Sequence, residues 1–156
     1  MTFSLFSRRL LAASLLAASA TAFAAPAAKI VALDGWTRPV AQGMTAAGYL
    51  TLVNRGAFPD RLIGASSSAA IKVSIHQSRQ VGAVMTMRAV TSLTVPGRGQ
   101  VKLAPGSFHL MFEGIRRPLR LGARIPVSLM FAGAGTVRAS LAVGAGPADT
   151  KSSMKM

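Results

Sequence analysis

A period of two in the hydrophobic residues constrains this chain more than anything else. Ile125, Val127, Leu129 and Phe131 alternate with Pro126, Ser128 and Met130, and Val137, Ala139, Leu141 and Val143 alternate with Arg138, Ser140 and Ala142. Successive side chains of an extended strand leave opposite faces, so this spacing describes strands with one face buried. No helical period persists between Lys29 and Val143, and residues 49–53 add a further β-rich run. Asn54-Arg55-Gly56, Pro59-Asp60, Pro96-Gly97, Pro105-Gly106 and residues 133–135 supply turn chemistry between the runs. The expectation is a single all-β domain over residues 30–143, built as an antiparallel sandwich or barrel. Pro126, which cannot donate to a ladder, places its strand at an edge or at a strand start. Residues 66–70 leave room for a turn or two of helix at most.

Residues 1–24 have the form of an export signal. Arg8 and Arg9 open it, residues 10–23 are apolar and uncharged, and Ala22-Phe23-Ala24 offers a cleavage site, so that the mature chain starts near Ala24/Ala25. About 14 apolar residues fall short of the roughly 20 that span a bilayer, which leaves no transmembrane anchor after cleavage. The paired arginines have a twin-arginine flavour, but an ordinary leader often carries two, and the ordinary route is the reading. Residues 25–29 form a linker, and residues 144–156, rich in Gly, Ala, Ser and Lys, bury little and are expected to be flexible.

The chain has no cysteine, hence neither disulfides nor thiolate ligands, and soft-metal chemistry falls to its eight methionines. It carries 18 Lys and Arg against 4 acids; without Arg8 and Arg9 the balance is 16 against 4, or +12. Such a charge raises nucleic acid or an acidic surface as a partner. The cations are mostly scattered, however, and the densest group, Arg116, Arg117, Arg120 and Arg124, has no interleaved aromatics. Export removes most nucleic-acid roles. A solvated positive surface is the preferred reading over attraction to anionic lipid or an acidic protein, and no nucleic-acid partner is expected.

Only two histidines exist, His76 and His109, and each has methionine near it. His109 and Met111 are one residue apart, so on a strand both leave the same face, and Met85 and Met87 share a face by the same spacing. If His76 and Met87 flank a hairpin whose loop includes Gly82, they approach one another. Neutral, soft thioethers with borderline imidazoles prefer Cu(I) over calcium or magnesium, and zinc would want thiolate or carboxylate help. A single strand methionine is more often core filler, and a single histidine more often a hydrogen-bonded surface residue. The joint pattern is what changes the weighing: His76, ten residues, Met87, twenty-one residues, His109, one residue, Met111.

That pattern resembles the PCuAC-type periplasmic copper chaperones, whose histidine, methionine and His-x-Met stand at these spacings. Surrounding stretches are also similar: TAAGYLTLVN (45–54), DRLIGA (60–65), VMTMRAV (84–90) and PGSFHLM (105–111). The resemblance implies a cupredoxin-like β-sandwich and makes His76, Met87, His109 and Met111 the Cu(I) ligands. It also implies a copper-accepting partner, such as a cytochrome oxidase subunit or an assembly factor. Two departures stand out. Relatives often carry a further methionine just after the first histidine, where this chain has Gln77 and Ser78, and the tail offers Met154 and Met156 but no histidine for a second, Cu(II)-type site. Glu113 would share the face of Met111 if the strand continues.

Three function classes remain. A metallochaperone is the leading one, and copper buffering or resistance would use the same ligands without a dedicated recipient. An enzyme finds little acid-base material in four acids and two histidines, and a blue-copper carrier would require a cysteine. A basic interaction module is the last, and it alone is indifferent to His109.

Overall fold

The computed structural model describes residues 29–147; the leader, its cleavage site and the tail beyond Pro147 lie outside them. Ten strands carry the described chain: β1 (Ile30–Thr37), β2 (Ala46–Asn54), β3 (Asp60–Ser66), β4 (Ala70–Val81), β5 (Val84–Val90), β6 (Leu93–Val95), β7 (Gly99–Leu103), β8 (Phe108–Ile115), β9 (Arg124–Phe131) and β10 (Gly135–Val143). Their order in the sheet is β5-β4-β8-β2-β1-β10-β9-β3-β6. A further pairing of β3 with β4, at Ala65↔Val73, closes the strands from β4 to β3 into a barrel. β8 and β7 share one edge of β2, along residues 46–48 and 50–54 respectively. Only β1 with β10 is parallel. The all-β, cupredoxin-like expectation therefore holds, in its barrel form. Among the described residues no helix is long and apolar enough to cross a membrane.

Burial follows the period of two. Along β2 every second residue is covered: Ala46, Gly48, Leu50 and Leu52 face the core, while Ala47, Tyr49, Thr51 and Val53 face out. Leu62, Leu110, Phe112, Leu129 and Leu141 meet them inside, and each such side chain contributes about 1.5–3 kcal/mol by leaving water. Gly48 is small for a reason, since a Cβ there would come within 2.5 Å of the Phe112 ring and 2.8 Å of a Leu141 methyl. In β8, Leu110 and Phe112 point inward and Met111 and Glu113 outward. His109 breaks the pattern: it belongs to the outward set, yet it is only 2% exposed.

One local expectation changes. β9 begins at Arg124 and lies between β10 and β3, so Pro126 marks neither an edge nor the strand's first residue. Its carbonyl accepts the Ser67 hydroxyl. The N and C=O of one strand residue face the same neighbour, so the missing N–H falls beyond Ser66↔Ser128, where β3 has stopped pairing. Residues 66–70 form a single turn, within the bound set by the sequence, with Ala69 N–H on Ser67 Oγ and Ala70 N–H on the Ser67 carbonyl.

One carboxylate pins a corner of the barrel at the start of β3. Asp60 Oδ1 accepts the N–H groups of Arg61 and Gly133, both at 2.8 Å, and Oδ2 accepts that of Ala134 at 2.7 Å, which ties the β9–β10 turn to the start of β3. Burial pushes this carboxyl up, but the three N–H donors and the Arg61 charge outweigh it and hold it below the usual carboxylate range.

Candidate metal centre

β4 lies between β5 and β8, and the register of these three strands decides which side chains meet. His76 stands opposite His109 on β8, with ring centroids 5.8 Å apart, and opposite Ala89 on β5. Ser74 faces Met111, Ser78 faces Met87, and Gln80 faces Met85. By strand alternation all of these emerge from one face, the outside of the barrel. Met87 is thus one diagonal step from His76 on β5, and Met111 one diagonal step on β8. Diagonal neighbours lie about 7–8 Å apart, within reach of long side chains. The β4–β5 hairpin expected around Gly82 is present: Val81 pairs with Val84, and Gly82 takes φ +60°, the first central position of a tight two-residue loop.

Exposure does not separate the two β5 methionines, Met85 being 55% and Met87 52% exposed; register does, because Met85 lies two residue pairs further towards the hairpin tip. Ser78 shares the face of His76, whereas Gln77 pairs with Phe108 and points to the other side.

Each ring has one nitrogen tied and one free. His109 Nδ1 lies 3.2 Å from the Ser107 carbonyl oxygen, which only accepts, so Nδ1 carries the proton and Nε2 the lone pair. His76 Nε2 lies 3.1 Å from Ser74 Oγ. His76 Nδ1 and His109 Nε2 are both covered, and neither meets a hydrogen-bond partner among the described residues. A buried polar atom without a partner is uncommon in a folded protein and calls for an explanation. Two such atoms on paired rings leave two lone pairs with which a common ion could be held. A metal–imidazole bond of about 2 Å places two ligating ring centres roughly 5–6 Å apart, as these rings are.

Aromatic rings wall off the β2 side. The Tyr49 centroid is 6.4 Å from that of His109, and Trp36, paired with Tyr49 in the β1–β2 register, stacks against it at 4.6 Å. Burial pushes the His109 imidazole below the usual histidine range; its bond to Ser107 opposes the shift and the adjacent His76 ring adds to it. The ring is therefore neutral at neutral pH, the state a metal ligand requires.

The donors suit a soft, monovalent ion. Among the described residues no three His, Cys, Asp or Glu side chains gather, so the soft side-chain donors that could join the two rings are the thioethers on the same face. Glu113 shares the face, but its Oε1 accepts Ser74 Oγ at 3.1 Å and lies 3.7 Å from Lys72 Nζ. The Arg116, Arg117 and Arg124 cluster sits past the other end of β8, where Arg116 Nε donates to the Ala70 carbonyl and Arg124 Nε to Ser140 Oγ. Sequence reasoning did not find Ser74 or Tyr49. Their signals are visible in retrospect: Ser74 precedes His76 by two, and Tyr49 occupies an outward position of β2.

The family model described as "Putative lipoprotein LpqE-like" matches residues 30–143. The chain belongs to the LpqE-like family. This LpqE-like chain is 33% identical over 102 residues to "Putative lipoprotein Lxx21020" of Leifsonia xyli subsp. xyli, in a match that takes in 65% of this chain and 61% of that relative's length. Among solved structures it is similar to the copper-bound PCuAC domain from PmoF2, at 29% identity and TM-score 0.62, over 75% of this chain and 93% of that one. It is also similar to CuI-DR1885 from Deinococcus radiodurans, at 27% identity and TM-score 0.58, over 81% and 84% of the two chains. The PCuAC-type resemblance read from the His and Met spacing thus extends to the LpqE-like fold as a whole.

Proposed function

We propose that this chain is a periplasmic metallochaperone that holds one Cu(I) through His76 Nδ1, His109 Nε2 and the thioethers of Met87 and Met111, and passes it to a copper-accepting protein. The observation that carries the reading is a covered, unpartnered nitrogen on each of two imidazoles that stand opposite one another on β4 and β8. Copper in the related PmoF2 and DR1885 structures supports the choice of ion, and the lipoprotein names of relatives support export. The destination implied by the family resemblance is copper-site assembly in cytochrome c oxidase.

Transfer follows from the same donors. With neutral ligands only, the ion keeps its charge, and thioethers are soft but weakly held partners. Met87 stands half exposed on β5, the terminal strand of the sheet, where an acceptor's ligand can replace it first. No bond in a substrate is made or broken. The test is a Cu(I) competition titration of the mature protein with single alanine replacements at the four ligands, joined to deletion of the gene. One ion per domain, weakened by each replacement, with oxidase activity lost under copper limitation, supports delivery. Copper sensitivity with normal oxidase would move the function to buffering, and binding indifferent to His109→Ala would leave only a basic interaction module.

A further inference from the structure

The two rings of the centre are oriented by different means, and the difference assigns a role to residues outside the ligand set. His109 is held by a backbone carbonyl, that of Ser107. His76 is held by a side-chain chain: Ser74 Oγ lies 3.1 Å from His76 Nε2 and donates to Glu113 Oε1 at 3.1 Å, and Lys72 Nζ approaches the same oxygen to 3.7 Å. We infer that Ser74 and Glu113 are positioning residues for the Cu(I) site, fixing the His76 ring so that Nδ1 is the atom turned to the ion.

The available protons fix the tautomer. A carboxylate only accepts hydrogen bonds, so the single hydroxyl proton of Ser74 is committed to Glu113. What Ser74 Oγ has left for His76 is a lone pair, and the 3.1 Å contact must therefore be Nε2–H donating to it. A neutral imidazole carries one N–H, so the lone pair is on Nδ1, the covered atom without a partner. A flip of the ring would break the bond to Ser74 and take Nδ1 out of its covered position. Strand register builds the chain in: Ser74 and His76 are two apart on β4, and Glu113 lies opposite Lys72 on β8, one step beyond Ser74 on the same face. Metal-ligating imidazoles commonly donate their second N–H in this way, and losing that partner weakens binding about 10- to 100-fold.

This inference rests on the copper reading above, and its test separates the two. In the copper-free protein, imidazole nitrogen NMR is expected to show His76 protonated at Nε2 with a ring N–H slow enough in exchange to be seen. Ser74→Ala should erase that proton signal and weaken Cu(I) about tenfold without changing the stoichiometry. Ser74→Thr, which keeps the hydroxyl, and Glu113→Gln, which keeps an acceptor oxygen, should retain both signatures. Glu113→Ala should weaken binding in the same direction, and the Ser74→Ala/Glu113→Ala double variant should be no worse than Ser74→Ala alone, since both act through one path. A wild-type His76 protonated at Nδ1, or Ser74→Ala binding Cu(I) as tightly as the wild type, would overturn the inference and leave the copper function standing. A wild-type protein that takes up no Cu(I) would overturn the function itself.

Discussion

The barrel handles polar groups in two opposite ways, at the Asp60 corner and at the imidazole pair. At the corner, three N–H groups reach both carboxylate oxygens and join two segments distant in sequence. At the pair, each ring has one nitrogen tied and leaves the other covered and alone. Hydrogen bonding completed within the chain makes a clamp, whereas bonding left half complete under cover makes a place for something from outside. The strands provide both by the same means, register, but only the second raises the energy of the empty fold in exchange for a ligand.

The two regions should respond to substitution in opposite ways. His109→Ala or His76→Ala should lower Cu(I) affinity at least about 100-fold in competition titrations, while Asp60→Ala leaves it unchanged. Met87→Ala and Met111→Ala should each weaken binding about tenfold, or 1.4 kcal/mol, measured the same way. Asp60→Ala should instead lower the stability of the copper-free protein by about 1–2 kcal/mol in urea unfolding, a figure discounted for solvent screening at this partly exposed site.

Acid sharpens the distinction further. The folded His109 lies below its ordinary value of 6.5, so the unfolded chain takes up that proton first. Its contribution to stability is complete above about pH 6.5 and is lost as pH falls below it. Asp60 lies below its ordinary 3.8, so its contribution is complete above that pH and is lost as pH falls through the lower folded value. Stability followed against pH should show two successive losses, the upper one removed by His109→Gln and the lower by Asp60→Asn, with bound Cu(I) enlarging the upper one. The smallest effect expected is that of Met85→Ala, within about twofold in affinity, since Met85 stands two residue pairs further from His76 than Met87 does.

Much of this was legible in the residues. Alternation in β9 and β10 announced strands, and one-residue spacing put His109 with Met111 and Met85 with Met87 on common faces. Gly82 announced the hairpin that brings Met87 alongside His76. Pro126 misled because a local rule about ladder donors cannot know where a neighbouring strand stops. The pairing of His76 with His109 was hidden for a similar reason: they are on strands separated by β5, β6 and β7 in the chain, and only long-range register sets them opposite. Ser74 and Tyr49 went unseen because neither is unusual in a strand; their roles arise from what stands across from them.

The central claim is that two named nitrogens hold the ion. Long-range nitrogen NMR of the two imidazoles, recorded with and without one equivalent of Cu(I) under reducing conditions, tests it most directly. The expected result is that His76 Nδ1 and His109 Nε2 shift together while His76 Nε2 and His109 Nδ1 keep their protons. Copper bound with both of the first pair unmoved, or through the opposite nitrogen of either ring, would contradict it.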